Sequence, residues 1–145
     1  MSKVASPPVG HIRSGCPISI ALELLGDSWS LLIVRDLMFK GRTSFNEFLN
    51  AEEGIASNIL SDRLRRLETS GVVDKRPDPV DARRYVYRLT EKGISLAPVL
   101  IELVVWSARF ERTDAPPEVV AQMRSDRRSV VSQIRREWSA SWAGV

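Results

Sequence analysis

A helical repeat over residues 57–70 constrains the fold of this chain more than any other feature. Leu60, Leu64 and Leu67 recur there at the spacing that places side chains on one face of an α-helix. Gly71 follows the repeat, and glycine commonly ends a helix because it adopts the left-handed conformation without strain. The segment therefore predicts a helix that buries one leucine stripe and turns its polar face outward.

A second, shorter helix is predicted just ahead of residues 57–70 in the chain. Its apolar side is formed by Phe45, Phe48 and Leu49. Ser44 and Glu47 have the spacing of a capping box, in which both side chains satisfy free amides at a helix start. A turn around Gly54 separates this helix from the next. Two helices joined by a short turn form a helix-turn-helix motif.

The residues that follow predict a β-hairpin. A strand over residues 72–76 ends where Pro77 and Pro79 interrupt regular pairing, in a loop over residues 77–82. Residues 84–89 then alternate, as in a half-buried strand. Its apolar face is formed by Tyr85, Tyr87 and Leu89. The predicted fold class is mainly α (α+β), a winged helix-turn-helix with a two-stranded β-hairpin wing.

Further helices flank this motif. Pro17 suits a first helical position and Gly26 a helix end, and Asp27 or Ser28 can cap the next helix. After the hairpin, Pro98 marks a kink or a new first turn within a helical region. A final amphipathic segment has no domain of its own, so it needs a partner surface.

The length of 145 residues suits one domain with additional helices. Residues 1–15 are rich in Pro and Gly and predict a mobile arm. Residues 16–97 are expected to form the winged helix-turn-helix domain, and residues 98–145 the C-terminal helices that provide dimerisation.

The formal net charge of +3 comes from one part of the chain. Residues 57–92 hold nine Lys or Arg against six Asp or Glu, and the remaining residues hold twelve of each sign. This concentration is typical of a surface that binds a polyanion such as nucleic acid. A solvated basic face is the alternative that charge alone leaves open.

Composition argues against several other classes of protein. The single Cys cannot form a disulfide framework, and one Cys with one His cannot supply the usual four ligands of structural zinc. The chain lacks the nucleophile–base pair, carboxylate pair or metal set of an enzyme, and its one adjacent acid pair, Glu52 and Glu53, fits a solvated turn. We expect neither catalysis nor a cofactor.

A cytoplasmic location is expected. No uninterrupted apolar run approaches the ~20 residues that a membrane-spanning helix needs. The first fifteen residues lack the apolar core of a signal peptide. We therefore expect no membrane partner.

Four short motifs follow one another along the chain. They are Cys16-Pro17, Gly26-Asp27-Ser28-Trp29, Gly54-Ile55-Ala56-Ser57-Asn58-Ile59-Leu60-Ser61-Asp62-Arg63-Leu64-Arg65-Arg66-Leu67-Glu68 and Tyr87-Arg88-Leu89-Thr90-Glu91-Lys92-Gly93. In this order and spacing they resemble the HxlR family, over about residues 16–110. Members of that family are winged-helix repressors or activators related to the MarR group. The resemblance implies binding to double-stranded operator DNA as a homodimer, with the last helices joining the subunits.

Two features depart from the family pattern. Asp81-Ala82-Arg83-Arg84 looks more like a wing of the MarR type. The chain also continues beyond the family's usual end, with a helix that can reinforce the dimer or cover another surface.

The polar face of the predicted recognition helix supplies the candidates for contact with bases in the major groove. Arg65 can make a bidentate contact to guanine, Asn58 can do so to adenine, and Ser61 can serve a base or a phosphate. Ser57 begins the helix beside them. Asp62 can accept from a cytosine amino group or pair with Arg65 or Arg66 on the helix surface.

Three further arginines are candidates for the DNA backbone. Arg83 and Arg84 are predicted at the tip of the wing, where a cation contacts the backbone or enters the minor groove. A solvated loop is the alternative for this pair. Arg42 precedes the capped helix, where free amides already favour an anion such as phosphate.

Cys16 lies at a helix start, where the helix dipole favours a thiolate. Some relatives use a cysteine here to sense oxidants or electrophiles, so the resemblance implies a redox or electrophile sensor. An inert thiol at the dimer seam is the alternative.

Two other interpretations remain open. A pocket for a small apolar effector, or simply core, can be formed by Trp29, Phe45, Phe48, Trp106 and Phe110. A winged-helix module that binds protein and not DNA is the competing function, against which the basic excess argues.

Overall fold

The computed structural model describes residues 12–143. The expected mobile arm falls largely on residues 1–11, which lie outside the described residues. The chain divides into two compact units, one ending at Gly93 and the other beginning at Ile94. The elements are α1 (Pro17–Leu25), α2 (Ser30–Phe39), α3 (Phe45–Leu49), α4 (Ser57–Thr69), β1 (Val73–Pro77), β2 (Tyr85–Leu89), α5 (Glu91–Ile94), α6 (Ala97–Phe110), α7 (Pro117–Ser125) and α8 (Arg127–Ala143).

The predicted mainly α fold class is confirmed. Two helices, α3 and α4, are joined by a turn, and an antiparallel hairpin follows them. In this hairpin Val73 lies opposite Leu89, and Pro77 lies opposite Tyr85. The order helix, turn, helix, hairpin is that of a winged helix-turn-helix.

The core of the first unit lies between α2, α3, α4 and the hairpin. The leucine stripe of α4 is buried as predicted, because Leu60, Leu64 and Leu67 are almost inaccessible to solvent. Phe48 from α3 is buried too and meets Tyr87 from β2 edge to face, with ring centroids 5.9 Å apart. α3 and α4 therefore pack on the hairpin through side chains for which the sequence predicts inward-facing positions.

Local signals fix the ends of these helices. The capping box at α3 is confirmed, since the Ser44 hydroxyl accepts from the Glu47 amide and the Glu47 carboxylate accepts from the Ser44 amide. Gly71 ends α4 with φ of 78°, a backbone region that disfavours other residues. The Lys92 ammonium donates to the Ser70 carbonyl oxygen at 2.7 Å, which satisfies one free carbonyl at the end of α4.

Two boundaries differ from the sequence prediction. Pro77 was expected to stop pairing, yet it is the last residue of β1, where a proline is tolerated because no further ladder bond is required of it. The final amphipathic segment is two helices instead of one. Asp126 leaves the helical conformation between them and accepts from the Ser129 amide at 3.4 Å, so its side chain caps α8.

The second unit is built from α6, α7 and α8, which contact one another. Pro98 lies in the first turn of α6, so the interpretation of a new first turn is confirmed. The buried apolar side chains of this unit include Leu100, Ile101, Val120, Met123 and Ile134.

One helical stretch is apolar on average, although charged residues interrupt it. Glu91–Phe110 is a helical stretch of 20 residues that is, by length and composition alone, apolar enough to cross a membrane, and 28% of its most apolar window is buried. Together α1 and α2 meet the same criterion across a bend of 81°. Core helices of other proteins also meet this criterion, so it is weak evidence of a membrane span.

Candidate nucleic-acid interface

The outward face of α4 carries the predicted base-contacting residues. Because the leucine stripe points inward, Ser57, Asn58 and Ser61 are all exposed. Arg65 lies farther along the same face, and 76% of its side chain is accessible. The N-cap of α4 is Ala56, so the Ser57 hydroxyl is not used as the helix cap. These side chains form a polar surface on one helix.

Asp62 pairs with arginines of its own helix, as one of its two interpretations predicted. Its carboxylate accepts from the Arg65 guanidinium at 3.0 Å and from the Arg63 guanidinium at 2.5 Å. The contact with Arg65 agrees with the preference of opposite charges for i,i+3 positions on one helix surface, whereas the second partner is Arg63 and not Arg66. Asp62 is therefore part of the Arg65 environment in the absence of any ligand.

Arg63 points away from solvent and contacts the start of α2. Its Nε atom donates to the Asp27 carboxylate at 2.9 Å, and that carboxylate also accepts from the Trp29 and Ser30 amides. Burial raises the pKa of the Asp27 carboxyl, but hydrogen bonds, chiefly from the Ser30 hydroxyl and the Trp29 amide, outweigh it and lower the pKa to about 2. Arg63 counts toward the basic excess of residues 57–92, but its guanidinium links α4 to the start of α2.

The loop between β1 and β2 places Arg83 and Arg84 together at the hairpin tip. Both are largely exposed and share one acid, Asp81, at 3.1 Å from Arg83 and 3.8 Å from Arg84. At the base of the hairpin tip, the Lys75 ammonium lies 4.1 Å from the centroid of the exposed Tyr85 ring. Arg83, Arg84 and Lys75 therefore lie exposed on the hairpin, together with Arg76, which pairs with Asp74 at 2.9 Å.

A groove of about 300 Å³ separates this hairpin from α3. It is lined by Ser44, Phe45, Asn46, Arg83, Arg84, Tyr85 and Tyr87. Arginine, asparagine and tyrosine side chains are groups that commonly contact DNA phosphates. Asn46 and Tyr85 were missed by sequence reasoning, because only the folded hairpin brings them beside the arginines.

Arg42 lies in a different environment from the one the sequence suggested. Its guanidinium pairs with Asp36 at 2.9 Å and with Glu52 at 2.6 Å. Arg35 donates to the same Oδ1 atom of Asp36 at 2.8 Å and pairs with Glu53 at 2.6 Å. Glu52 and Glu53 lie exposed in a turn, as expected, and in addition they pair with Arg42 and Arg35. A phosphate at Arg42 would compete with two carboxylates.

Cys16 is exposed and occupies the N-cap position of α1. Hydrogen bonds from the Ser19 and Ile18 backbone amides lower the pKa of its thiol, because these amides stabilise the thiolate. The expectation of a helix-start cysteine is confirmed, and the side chain is open to reagents.

The aromatic residues that were predicted to line an apolar pocket lie in different places. Trp29 and Phe48 line a cavity of about 10 Å³, which holds no more than a water molecule. In the second unit, Trp106 and Phe110 are exposed on α6, with ring centroids 5.9 Å apart. Within the first unit Phe48 is core, Trp29 is half-buried, and Phe45 is half-buried and lines the groove beside Arg83 and Arg84.

Comparison with known proteins gives consistent matches. Residues 24–115 match the family model described as HxlR-like helix-turn-helix. The HTH-type transcriptional regulator sll1512 of Synechocystis sp. is 39% identical over 94 residues, which are 65% of this chain and 67% of the relative.

Solved structures agree with this match. The transcription factor PA1607 is 39% identical with a TM-score of 0.64, covering 73% of this chain and 72% of that one. The reduced form of the transcriptional regulator YodB from Bacillus subtilis is 32% identical with a TM-score of 0.55, covering 67% and 95%. Diamide-treated and quinone-bound YodB are similar to this chain as well.

Proposed function

The chain belongs to the HxlR-like helix-turn-helix family and is a DNA-binding transcriptional regulator, and we propose that α4 enters the major groove while the hairpin tip holds the DNA backbone. In this proposal Ser57, Asn58, Ser61 and Arg65 contact base edges or nearby phosphates. Arg83 and Arg84 contact the backbone or the minor groove. As an operator-binding regulator the protein acts in the cytoplasm and has no catalytic role.

The exposed polar face of α4 carries the proposal. A helix that buries one stripe and presents Asn58 and Arg65 on the other has the side chains that pair bidentately with adenine and guanine. The groove beside Arg83 and Arg84 supports a phosphate contact next to that helix. Arg42 is the weakest of the predicted contacts, because its guanidinium is already bound by two acids.

We propose that the active form is a homodimer. On α6, Val99, Leu103 and Trp106 follow one another at helical spacing and are exposed, and Phe110 continues the row. An apolar row of this length on a surface favours a protein partner. A second copy of the chain would bring two recognition helices to successive major grooves, ~34–36 Å apart, on a roughly palindromic operator.

A second function is favoured by the environment of Cys16. The exposed thiol with a lowered pKa suits a sensor of oxidants or electrophiles, since the thiolate is the reactive form. YodB, a relative, has been solved in reduced, diamide-treated and quinone-bound forms. We propose that modification of Cys16 changes operator affinity.

Titration of fluorescent DNA by anisotropy tests the DNA contacts. The probes are the DNA that flanks the gene of this protein and random DNA of equal length, each over a series of salt concentrations. Arg65→Ala should lower operator affinity by about 1–3 kcal/mol and leave random DNA nearly unaffected. Replacing Arg83 and Arg84 by Ala should weaken binding to both DNAs and reduce the salt slope by about 4, since the proposed dimer carries this pair twice.

Arg124→Ala is the matched control, because it removes an exposed positive charge from α7. It should change neither specificity nor salt slope. Equal affinity of the wild-type protein for both DNAs would contradict the proposal and favour the protein-interaction module. An equal loss on both DNAs for Arg65→Ala would exclude base contact by that side chain.

A further inference from the structure

Four charged side chains of alternating sign form a continuous row from the start of α2 to the outer face of α4. The Asp27 carboxylate binds Arg63 at 2.9 Å, Arg63 binds Asp62 at 2.5 Å, and Asp62 binds Arg65 at 3.0 Å. The row joins a motif that the sequence singled out, Gly26-Asp27-Ser28-Trp29, to the arginine proposed for guanine.

The row is fixed at its inner end and open at its outer end. Asp27 and Arg63 are each 22% exposed in their side chains, while Asp62 is 38% and Arg65 76% exposed. Asp27 is immobilised further by two backbone amides at the N-terminus of α2. Each side chain therefore holds the next one outward, and Arg65 is oriented while its guanidinium remains accessible.

An exposed i,i+3 ion pair contributes little to stability by itself. Asp62 also repels phosphates, so its charge weakens binding to any DNA. An acid that adds little to stability and weakens binding to every DNA is understandable if it improves the discrimination between bases. A guanidinium that is already oriented loses less side-chain entropy when it binds guanine, so its affinity for guanine is higher. Another base does not offer the two acceptors that this orientation fits, so its affinity is not raised.

We infer that Asp62 is a specificity-determining positioning residue, which orients Arg65 for guanine and is itself anchored to the fold through Arg63 and Asp27. This inference rests on the proposed function, because it assumes that Arg65 contacts a base. It assigns Asp62 no contact of its own with DNA.

The measured quantity is a ratio of affinities. Anisotropy titrations compare the operator with versions in which each base pair is replaced in turn, and the Arg65→Ala variant identifies the pair that Arg65 contacts. Asp62→Ala should lower the ratio at that pair about tenfold, the range of one bidentate contact. Binding of Asp62→Ala to random DNA should be unchanged or tighter, since a negative charge is lost.

Glu68→Ala is the matched control, since it removes an exposed acid from the same helix and also introduces alanine. It should affect random DNA in the same direction and keep the ratio. In the Arg65→Ala background, Asp62→Ala should cause no further fall in the ratio. Arg63→Met, which keeps the alkyl stem but removes the anchor, should lower the ratio in the same direction.

Each result has a definite meaning. An unchanged ratio for both Asp62→Ala and Arg63→Met overturns the inference while the proposed function stands. A further fall in the Arg65→Ala background overturns it in favour of direct contact between Asp62 and a cytosine. If the wild-type protein does not distinguish the operator from random DNA, the proposed function fails, and the inference fails with it.

Discussion

Arginine side chains of the first unit serve two different purposes, which net charge does not separate. Arg63 and Arg42 turn toward carboxylates of other elements and hold helices together. Arg65, Arg83 and Arg84 are exposed and remain accessible to a polyanion despite their nearby acids. The part of the basic excess of residues 57–92 that is accessible to a polyanion is therefore smaller than the sequence suggests.

The sequence predicts residue roles well where the cause is local. The capping serine Ser44 and the exposed position of Arg65 follow from spacing within one helix. The partner of Arg63 could not be predicted, because Asp27 lies 36 positions away and only the packing of α2 against α4 brings the two together. The same holds for Arg42 and Glu52, whose pairing depends on the path of the α3–α4 turn.

Cys16→Ser tests the sensor role at the residue scale. The variant should bind the operator as the wild-type protein does but lose any response to an oxidant or quinone. In the wild-type protein the thiolate forms at lower pH than in free cysteine, since backbone amides lower the pKa of the thiol. The rate of maleimide addition, measured as a function of pH, should therefore reach half its maximum at a lower pH for Cys16 than for free cysteine under the same conditions.

Operator affinity is then measured before and after modification of Cys16. Equal affinities would exclude sensing through this residue, even if the thiol reacts quickly. A half-maximal rate at or above the free-cysteine value would contradict the electrostatic environment described for the N-terminus of α1.

At the scale of elements, the junction after β2 fastens the end of α4 to the hairpin. The Thr90 hydroxyl donates to the Gly71 carbonyl oxygen at 2.5 Å and accepts from the Gly93 amide. A Cβ atom at Gly93 would lie 2.3 Å from the Val72 carbonyl oxygen, a backbone atom that cannot move independently. Only glycine permits this close approach between α5 and β1.

Gly93→Ala should therefore destabilise the fold by about 1–3 kcal/mol, the usual cost of overpacking a rigid site. The free energy of unfolding, measured by urea titration with circular dichroism, gives the result. Gly15→Ala is the control, because no atom lies within 4 Å of the added Cβ. Equal stability of the two variants would show that the chain relaxes at Gly93 without cost.

Element boundaries were predictable only where a terminating residue is unambiguous. Gly71 ended α4 as expected, since its left-handed backbone is a strong local signal. The break at Asp126 was missed, because the apolar spacing continues on both sides of it and one capping aspartate decides the boundary. Pro77 was assigned to the loop because its tolerance at a strand end depends on the pairing partner, Tyr85.

At the scale of the whole molecule, α1 and α6 each carry exposed apolar side chains on successive turns. α1 has no fully buried residue, and Ile18 and Leu22 are exposed on successive turns. Trp106 and Phe110 on α6 are 60% and 61% exposed. The sequence predicts a dimerisation role for the C-terminal helices. The exposure of the apolar row on α1 could not be predicted, because a buried core helix has the same apolar spacing.

Trp106→Glu tests the homodimer. A carboxylate at this position would be buried without a partner in an interface formed by α6, and burial of an unpaired charge is costly. Sedimentation at micromolar concentration should give a dimer for the wild-type protein and a monomer for the variant. Operator affinity should fall roughly 100-fold, since linked half-sites no longer add their binding energies. Gln122→Glu, which adds a charge at an exposed position of α7, should remain dimeric. A dimeric Trp106→Glu protein would place the interface elsewhere, and a monomeric wild-type protein would contradict the palindromic operator.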